Sequence, residues 1–292
     1  MPRTSAIGTL LHLSLAVFIS AAPTLLKAQV QGPLTFKTVS VGAVHTEATG
    51  VDNAGDIVGF YVDSRGVDHG FIDIAGKIMA INVPGSVATR VYGISEDYNK
   101  IVGWYTDSSG RQHGFKFTGT FTTVDVPGAT WTHAFSITNV GSIVGAYADS
   151  DGVVHSFFDL NGNGDFSTLE FKGSDRVEVY GINGVGYMVG IYDNSAGVEQ
   201  GVFGFRALTI TISFPGAVVT SADGISDNVE IVGHYGAKAD GPFHGYTLYN
   251  GEFHSVNFPG VEDTRCNGLN LNGEIVGRYT DAKGIIHGFS AQ

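Results

Sequence analysis

Ile101-Val102-Gly103-Trp104-Tyr105-Thr106-Asp107-Ser108-Ser109-Gly110-Arg111-Gln112-His113-Gly114-Phe115 is one copy of a pattern that the chain writes six times. Its triplet recurs as Ile57-Val58-Gly59, Ile143-Val144-Gly145, Met188-Val189-Gly190, Ile231-Val232-Gly233 and Ile275-Val276-Gly277. Successive copies begin 44, 42, 45, 43 and 44 residues apart. A period this regular marks a repeat architecture. Working outward from the second copy, Val91 to Ile94 reads as a short strand and Ile101 to Thr106 as the next. Asp107 to Gly110 has hairpin-turn chemistry, and His113 to Phe117 reads as a third strand. After the Thr118-Gly119 turn, Phe121 to Val126 alternates as a fourth strand and ends at Pro127-Gly128. Four short strands in some forty residues make a propeller blade. The expected fold is therefore all-β: a six-bladed β-propeller with four strands per blade.

The ends of the chain suggest how the ring closes. The sixth copy stops at His287-Gly288-Phe289 without a fourth strand, whereas Phe36-Lys37-Thr38-Val39-Ser40-Val41-Gly42 resembles Phe121 to Gly128 with the proline missing. The N-terminal strand is therefore expected to pair into the last blade, removing the exposed edges that an open array would leave.

Composition agrees with an ordered all-β chain. Of the 292 residues, 15% are charged and 43% hydrophobic, which excludes disorder, and the 42 glycines suit many tight turns. The net charge of −12 with no Lys/Arg cluster argues against nucleic acid as a partner. Arg3, the uncharged apolar run Ile7 to Ala22, and Leu26-Lys27-Ala28 have the order of a signal peptide. Residues 1–28 are read as that signal and 29–292 as one propeller domain, placing the protein outside the cytoplasm, secreted or periplasmic. The rival reading keeps the run as a membrane anchor; no later segment is long and apolar enough to span a bilayer. Cys266, the only cysteine, stands where other copies carry Ala or Val, and reads as a small buried hydrophobe.

The copies, in the form Gly-Ile-Asn/Ser, Gly-x-Ile-Val-Gly-x-Tyr, His-Gly-Phe, resemble the HAF-type extracellular repeats of bacteria over essentially all of 34–292. This chain departs from that pattern by writing His-Gly-Phe where His-Ala-Phe is usual, and by ending blades in Pro-Gly. The resemblance implies export and a propeller; it implies no particular activity.

Residues that recur at one place from copy to copy read as structure, although the fourth copy carries Gln200 in the histidine column. His69, His113, His155, His244 and His287 share one column, with Asp63, Asp107, Asp149 and Asp281 six residues ahead of four of them. Catalysis needs one dyad, not four, so these read as turn aspartates and sheet-bound histidines. Tyr61, Tyr105, Tyr147, Tyr192, Tyr235 and Tyr279 read as inter-blade packing.

Residues that differ between copies mark where a site belongs. A threonine, or Val177, sets the register of each first strand, and the residue after it varies: Glu47, Arg90, His133, Glu178, Ser221 and Arg265. The residue before it includes His45, Trp131, Arg176 and Asp263. These are expected to ring the channel mouth, a concave place with convergent polar groups. Arginine beside tryptophan suits carboxylates and sugars. The competing reading pairs the charges with one another on a solvated rim.

Asp159-Leu160-Asn161-Gly162-Asn163-Gly164-Asp165, continuing to Glu170, matches a calcium-loop pattern. Asp159, Asn161, Asn163, Asp165 and Glu170 would be the ligands of a structural Ca²⁺, the only cofactor suggested. A plain Asn-Gly hairpin is the alternative. No Gly-x-Ser-x-Gly, His-Glu-x-x-His, P-loop or cysteine-nucleophile pattern occurs. The functional expectation is a non-catalytic binding or scaffold propeller for a glycan, peptide, small molecule or surface partner. The alternative is a hydrolase or lyase for sugars, lactones or similar anions, with Glu47, His133 and Glu178 as acid and base.

Overall fold

The computed structural model describes residues 33–292 except 98–99, 172–173, 175 and 206–207, so the signal segment lies outside the described residues. The fold is a β-propeller, built among the described residues from strands alone apart from one short 3-10 turn at Leu160–Gly162. Among the described residues no helix is long and apolar enough to cross a membrane.

Each repeat folds as read. The strands begin with β1 (Phe36–Val39), then β2 (His45–Val51), β3 (Ile57–Val62), β4 (Asp68–Ile74) and β5 (Lys77–Ile81). The second repeat gives β6 (Ala88–Ile94), β7 (Ile101–Thr106), β8 (Gln112–Phe117) and β9 (Phe121–Val124). The third gives β10 (Trp131–Ile137), β11 (Ile143–Ala148), β12 (Val154–Asp159) and β13 (Phe166–Leu169). The fourth gives β14 (Val177–Ile182), β15 (Met188–Asp193), β16 (Glu199–Phe205) and β17 (Leu208–Ile212). The last two give β18 (Val219–Ile225), β19 (Ile231–Gly236), β20 (Phe243–Tyr249) and β21 (Glu252–Val256), then β22 (Asp263–Leu269), β23 (Ile275–Thr280) and β24 (Ile286–Ala291).

The sheets differ from six separate units. Four four-stranded sheets stand alone, and one sheet has eight strands. The larger sheet joins β2-β3-β4-β5 to β22-β23-β24-β1 through a single parallel pair, His45 with Ile286. Residues 40–44 pass from β1 to β2 without the Pro-Gly found at Pro84-Gly85, Pro127-Gly128, Pro215-Gly216 and Pro259-Gly260, and β2 enters beside β24. As expected, β1 lies antiparallel on β24, with Thr38 opposite Phe289 and Val39 opposite Gly288. Gly42 has a φ of 74°, in the left-handed range of Gly85, Gly128, Gly216 and Gly260 after the four prolines, so the turn survives the loss of its proline.

The first strands β2, β6, β10, β14, β18 and β22 touch in that order, and β22 returns to β2. They surround an axial cavity of about 80 Å³. Each first strand carries a β-bulge, between Ala48 and Gly50, Val91 and Gly93, Ala134 and Ser136, Val179 and Gly181, Ala222 and Gly224, and Cys266 and Gly268. The bulge explains the glycine of every Ile-Val-Gly triplet. A Cβ on Gly59, Gly103, Gly145, Gly190, Gly233 or Gly277 would overlap the carbonyl oxygen of Glu47, Arg90, His133, Glu178, Ser221 or Arg265, respectively. The repeated glycine therefore seats the backbone of the variable residue.

The middle residue of the triplet holds neighbouring repeats together. Val58, Val102, Val144, Val189, Val232 and Val276 are fully buried. Each packs into a cluster with residues of the next repeat: Val58 with Val91 and Phe115, Val102 with Ala134 and Phe157, Val144 with Val179, Val189 with Ala222, and Val232 with Cys266. Val276 packs against Ala48 and Phe71 of the first repeat, which closes the ring. Burial of each valine contributes ~1.5–3 kcal/mol. Cys266 is fully buried, and burial pushes its thiol well up, as a small hydrophobe requires.

The tyrosine column packs between repeats as read. Phe214 stacks on Tyr235 at 3.5 Å and Phe258 on Tyr279 at 3.7 Å, each phenylalanine coming from the loop that ends the preceding repeat. The threonine register residue fastens the same loop, since Thr89, Thr132, Thr220 and Thr264 accept the N–H of Val83, Val126, Phe214 and Phe258 at 3.0–3.1 Å.

Candidate functional site

The column after the threonine register shares its face of the first strand with the residues two further on: Thr49, Tyr92, Phe135, Tyr180, Asp223 and Asn267. Those six line the axial cavity. Direct contacts show the shared face: Tyr180 Oη donates to Glu178 Oε2 at 3.2 Å, and the Ser221 hydroxyl donates to Asp223. The variable column therefore stands one step above the cavity, at its mouth.

The residues there do not behave alike. Glu47 accepts from His45 Nε2 at 2.8 Å and Arg278 Nη1 at 3.2 Å. Burial opposes its ionisation, but the His45 hydrogen bond, Arg278 and Arg90 together hold the carboxyl below its ordinary value. Glu178 is gripped by Arg176, with Nε at 2.9 Å and Nη2 at 2.7 Å; Arg176 also reaches Asp193 at 3.4 Å and Glu199 at 3.6 Å. Ser221 is buried, and Asp223 accepts its hydroxyl and His234 Nδ1, the latter at 2.7 Å. Arg265 lies 4.1 Å above the Phe243 ring.

One ladder crosses three repeats. The Arg90 guanidinium lies 4.3 Å above Phe60 and 5.3 Å above Trp104, with Nε 2.9 Å from Asp68 Oδ2 in an ion pair that lacks hydrogen-bond alignment. Trp104 stacks on His133 at 4.7 Å and 17°, and Trp131 lies against His133 at 4.4 Å. His133 Nε2 meets Gln112 Oε1 at 3.0 Å. Burial, and then Arg90, press the His133 imidazole down to about 4, so near pH 7 the ring is neutral. The result is a neutral aromatic stack with a cation at one end; Trp104 is buried and Trp131 half-buried, so Trp131 is the indole that can meet a flat apolar face, with polar groups at the stack's edge.

The mouth brings in residues that the first-strand column alone does not reveal. Opposite Glu47, Arg90, His133, Glu178, Ser221 and Arg265 stand Phe60, Trp104, Ala146, Ile191, His234 and Arg278. Their sequence signal was the variable position inside Ile-Val-Gly-x-Tyr. Below them, Tyr92, Phe135 and Tyr180 pack ring to ring at 5.3–5.4 Å along one side of the cavity. At its far end are Glu96 and Asp227, whose carboxyls hydrogen-bond; Asp227 also accepts the Gly184 N–H. Burial, followed by the charge of Asp227, raises Glu96 to about 7.

The repeated histidines are tied into their sheets. His69, His113, His155 and His287 meet Asp63, Asp107, Asp149 and Asp281 at 2.9–3.4 Å and stack on the tyrosine column at 5.1–5.2 Å. The same aspartates accept backbone N–H groups of their own turns, as Asp107 does from Ser109 and Arg111.

The proposed calcium loop does not gather its five residues. Asp159 is buried, and its carboxylate accepts the N–H groups of Asn163 at 3.1 Å and Gly164 at 3.0 Å. Asn163 and Asp165 bond each other. Asn161 turns the chain at a φ of 60°, its N–H bonded to Ser142. Glu170 lies beyond β13, which runs extended from Phe166 to Leu169 and carries it a strand's length, ~14 Å, from the turn. A helix would have curled it back. Among the described residues no three His, Cys, Asp or Glu side chains group closely enough to hold a metal ion.

No family model and no curated protein matches the sequence. Solved structures are similar in fold. AofleA from Arthrobotrys oligospora matches with a TM-score of 0.55 at 9% identity, over 87% of this chain and 85% of that one. The lectin of Aleuria aurantia, described as a six-bladed propeller with a novel fucose recognition mode, matches with 0.51 at 10%, over 84% and 90%. TolB from Acinetobacter baumannii matches with 0.54 at 10%; this chain covers 64% of it and is itself covered over 82%. At these identities the likeness establishes the propeller and nothing finer.

Proposed function

We propose that this chain is an exported six-bladed binding propeller, its eight-stranded sheet counting as two blades, that recognises a glycan at the channel mouth. The observation that carries the reading is the Arg90–Trp104–His133–Trp131 ladder. Aromatic faces with hydrogen-bonding groups at their rim suit a sugar ring, which is apolar on its faces and polar around its edge. The Aleuria lectin, a propeller of similar shape, has been solved with Fucα1-6GlcNAc, so such a scaffold accommodates saccharides. Export, and kinship with the HAF-type repeats, rest on the N-terminal segment and the repeat pattern.

The hydrolase or lyase reading needs Glu47, His133 and Glu178 to converge on one substrate. Instead Glu47 is tied to His45 and Arg278, Glu178 to Arg176 and Tyr180, and His133 lies between two indoles. That arrangement supports binding over acid–base chemistry.

The test is a glycan array followed by calorimetric titration of the best ligand against wild type and Trp131→Ala. A saccharide should bind, and the variant should lose at least about tenfold in affinity with little change in melting, as for an anchor residue. Silence across the array, or full binding by Trp131→Ala, would refute the reading.

A further inference from the structure

We propose that Arg265 and Arg278 form an anion subsite of the channel mouth, and that the saccharide bound there carries a carboxylate, as a uronate does. This rests on the glycan reading above and adds the charge of the sugar.

The first support is a like-charge pair. Six cross-strand pairs join the variable column to the second strands, and only Arg265 with Arg278 sets two equal charges opposite each other. Like charges directly opposed on neighbouring strands destabilise a sheet. A bound anion would relieve that repulsion.

The second is an unfilled donor set. Arg265 Nε is buried and lacks a hydrogen-bond partner; Asp263 Oδ1, its nearest carboxylate oxygen, is 3.7 Å away, beyond bonding reach. Asp263 is engaged elsewhere, accepting the Phe243 N–H at 3.1 Å and the Thr280 hydroxyl at 3.4 Å. Arg176 provides the contrast, since its guanidinium is matched to Glu178 by two short bonds. Burial, followed by the charge of Arg278, lowers the pKa of Arg265 against the opposing pull of Asp263, Asp223 and Glu47.

The third is positioning. The Arg265 guanidinium lies 4.1 Å over the Phe243 ring, which His234 holds edge-on at 5.2 Å and 89°. Arg278 is anchored by Glu47 at 3.2 Å. A planar guanidinium fork held on an aromatic face matches the two oxygens of a carboxylate. Asp263, Asp223 and Glu47 are the acids that act on Arg265, and each is already partnered, Asp223 by His234 and Ser221.

The experiment is calorimetric titration with uronate oligosaccharides, each paired with its neutral methyl ester, and with sodium sulfate. At least one acid should bind about tenfold or more tightly than its ester, the value of a charged hydrogen-bonded pair. Arg265→Gln should erase that preference; the acid–ester comparison on wild type needs no variant to fold. Esters that equal their acids would overturn the anion subsite and leave the glycan reading standing. Sulfate that equals the acid saccharide would overturn the saccharide part, and no preference for any acid would overturn the whole proposal. Failure of the array itself would remove the glycan reading first.

Discussion

The hydroxyls of Thr38 and Tyr279 lie 3.0 Å apart although 241 residues separate them in the chain. The same bond recurs inside other repeats: Tyr105 with Thr123, Tyr147 with Thr168, Tyr192 with Thr211, and Tyr235 with Ser255. An N-terminal strand thus supplies the fourth-strand hydroxyl that the last repeat lacks. Phe36 adds an edge contact to Phe258 at 5.4 Å and a tilted one to Phe289 at 5.7 Å. Removing residues 33–41 should lower the melting temperature sharply and give aggregates in size-exclusion chromatography, because β24 becomes a bare edge. A truncated protein that melts like wild type would exclude this closure.

The first repeat breaks that rule. Ala80 occupies the fourth-strand place held elsewhere by Thr or Ser, opposite Phe71 on the exposed β5. Ala80→Thr should give Tyr61 the missing hydroxyl partner and raise stability by ~0.5–1.5 kcal/mol. Chemical denaturation measures the gain; no gain would mean that the Tyr–Thr bond is decoration rather than support.

Asp52 stands where the fourth and sixth repeats use Asn183 and Asn270, and the others use Ser95, Thr138 and Ser226. Asn183 and Asn270 close their turns with Oδ1 and donate Nδ2 to the carbonyls of Ser226 and Asp52 in the following repeat. Asp52 is fully buried and closes its turn with Oδ1, but its Oδ2 has no partner. Burial raises its pKa. The folded protein then holds a proton that the unfolded chain releases above ~4, and this contribution to stability is lost as pH rises through the elevated folded value. Asp52→Asn should stabilise the protein by ~1–2 kcal/mol at neutral pH and remove that part of the pH dependence. A variant less stable than wild type at pH 7 would contradict it.

Glu96 and Asp227 share hydrogen-bonded carboxyls at the far end of the cavity. Glu96 is raised from an ordinary 4.5 to about 7, so the folded state binds the extra proton between those values. Stability from this pair should be full in mild acid and fall as the medium approaches and passes neutrality. Glu96→Gln keeps a donor without the charge. Its melting temperature should vary less with pH than that of wild type between pH 5 and 8, on the order of that window. Parallel curves would refute a shared proton.

The turn after β12 can be assigned by one substitution. Because the Asp159 carboxylate accepts the N–H groups of Asn163 and Gly164, Asp159→Ala should cost ~1–3 kcal/mol equally in chelator and in millimolar calcium. A cost that appears only with calcium would show instead that the loop serves a cation.

Much of the fold was legible because a blade is written locally. Ile-Val-Gly, Asp-x-x-Gly and His-Gly-Phe each act within a hairpin, and the alternation of apolar residues places each strand. The merging of two strand sets into one sheet was not legible, since it depends on one bridge between His45 and Ile286, 241 residues apart. At the mouth, Glu47, Arg90, His133, Glu178, Ser221 and Arg265 could be found as a column of differences. Their partners could not, because Arg278 reaches Glu47 from the far end of the chain.

Sequence alone thus determined the repeat, the four-strand unit, the closing role of Phe36 to Val39 and the face on which variable residues collect. All of these follow from periodicity and turn chemistry within about forty residues of chain. Only the tertiary structure decided which variable side chains meet: Trp104 with His133, Arg265 with Phe243, Glu96 with Asp227. The physical reason is that the ring sets strands from different repeats side by side around one axis. There, spacing in the chain no longer measures distance, and desolvation and charge act across the gap between repeats.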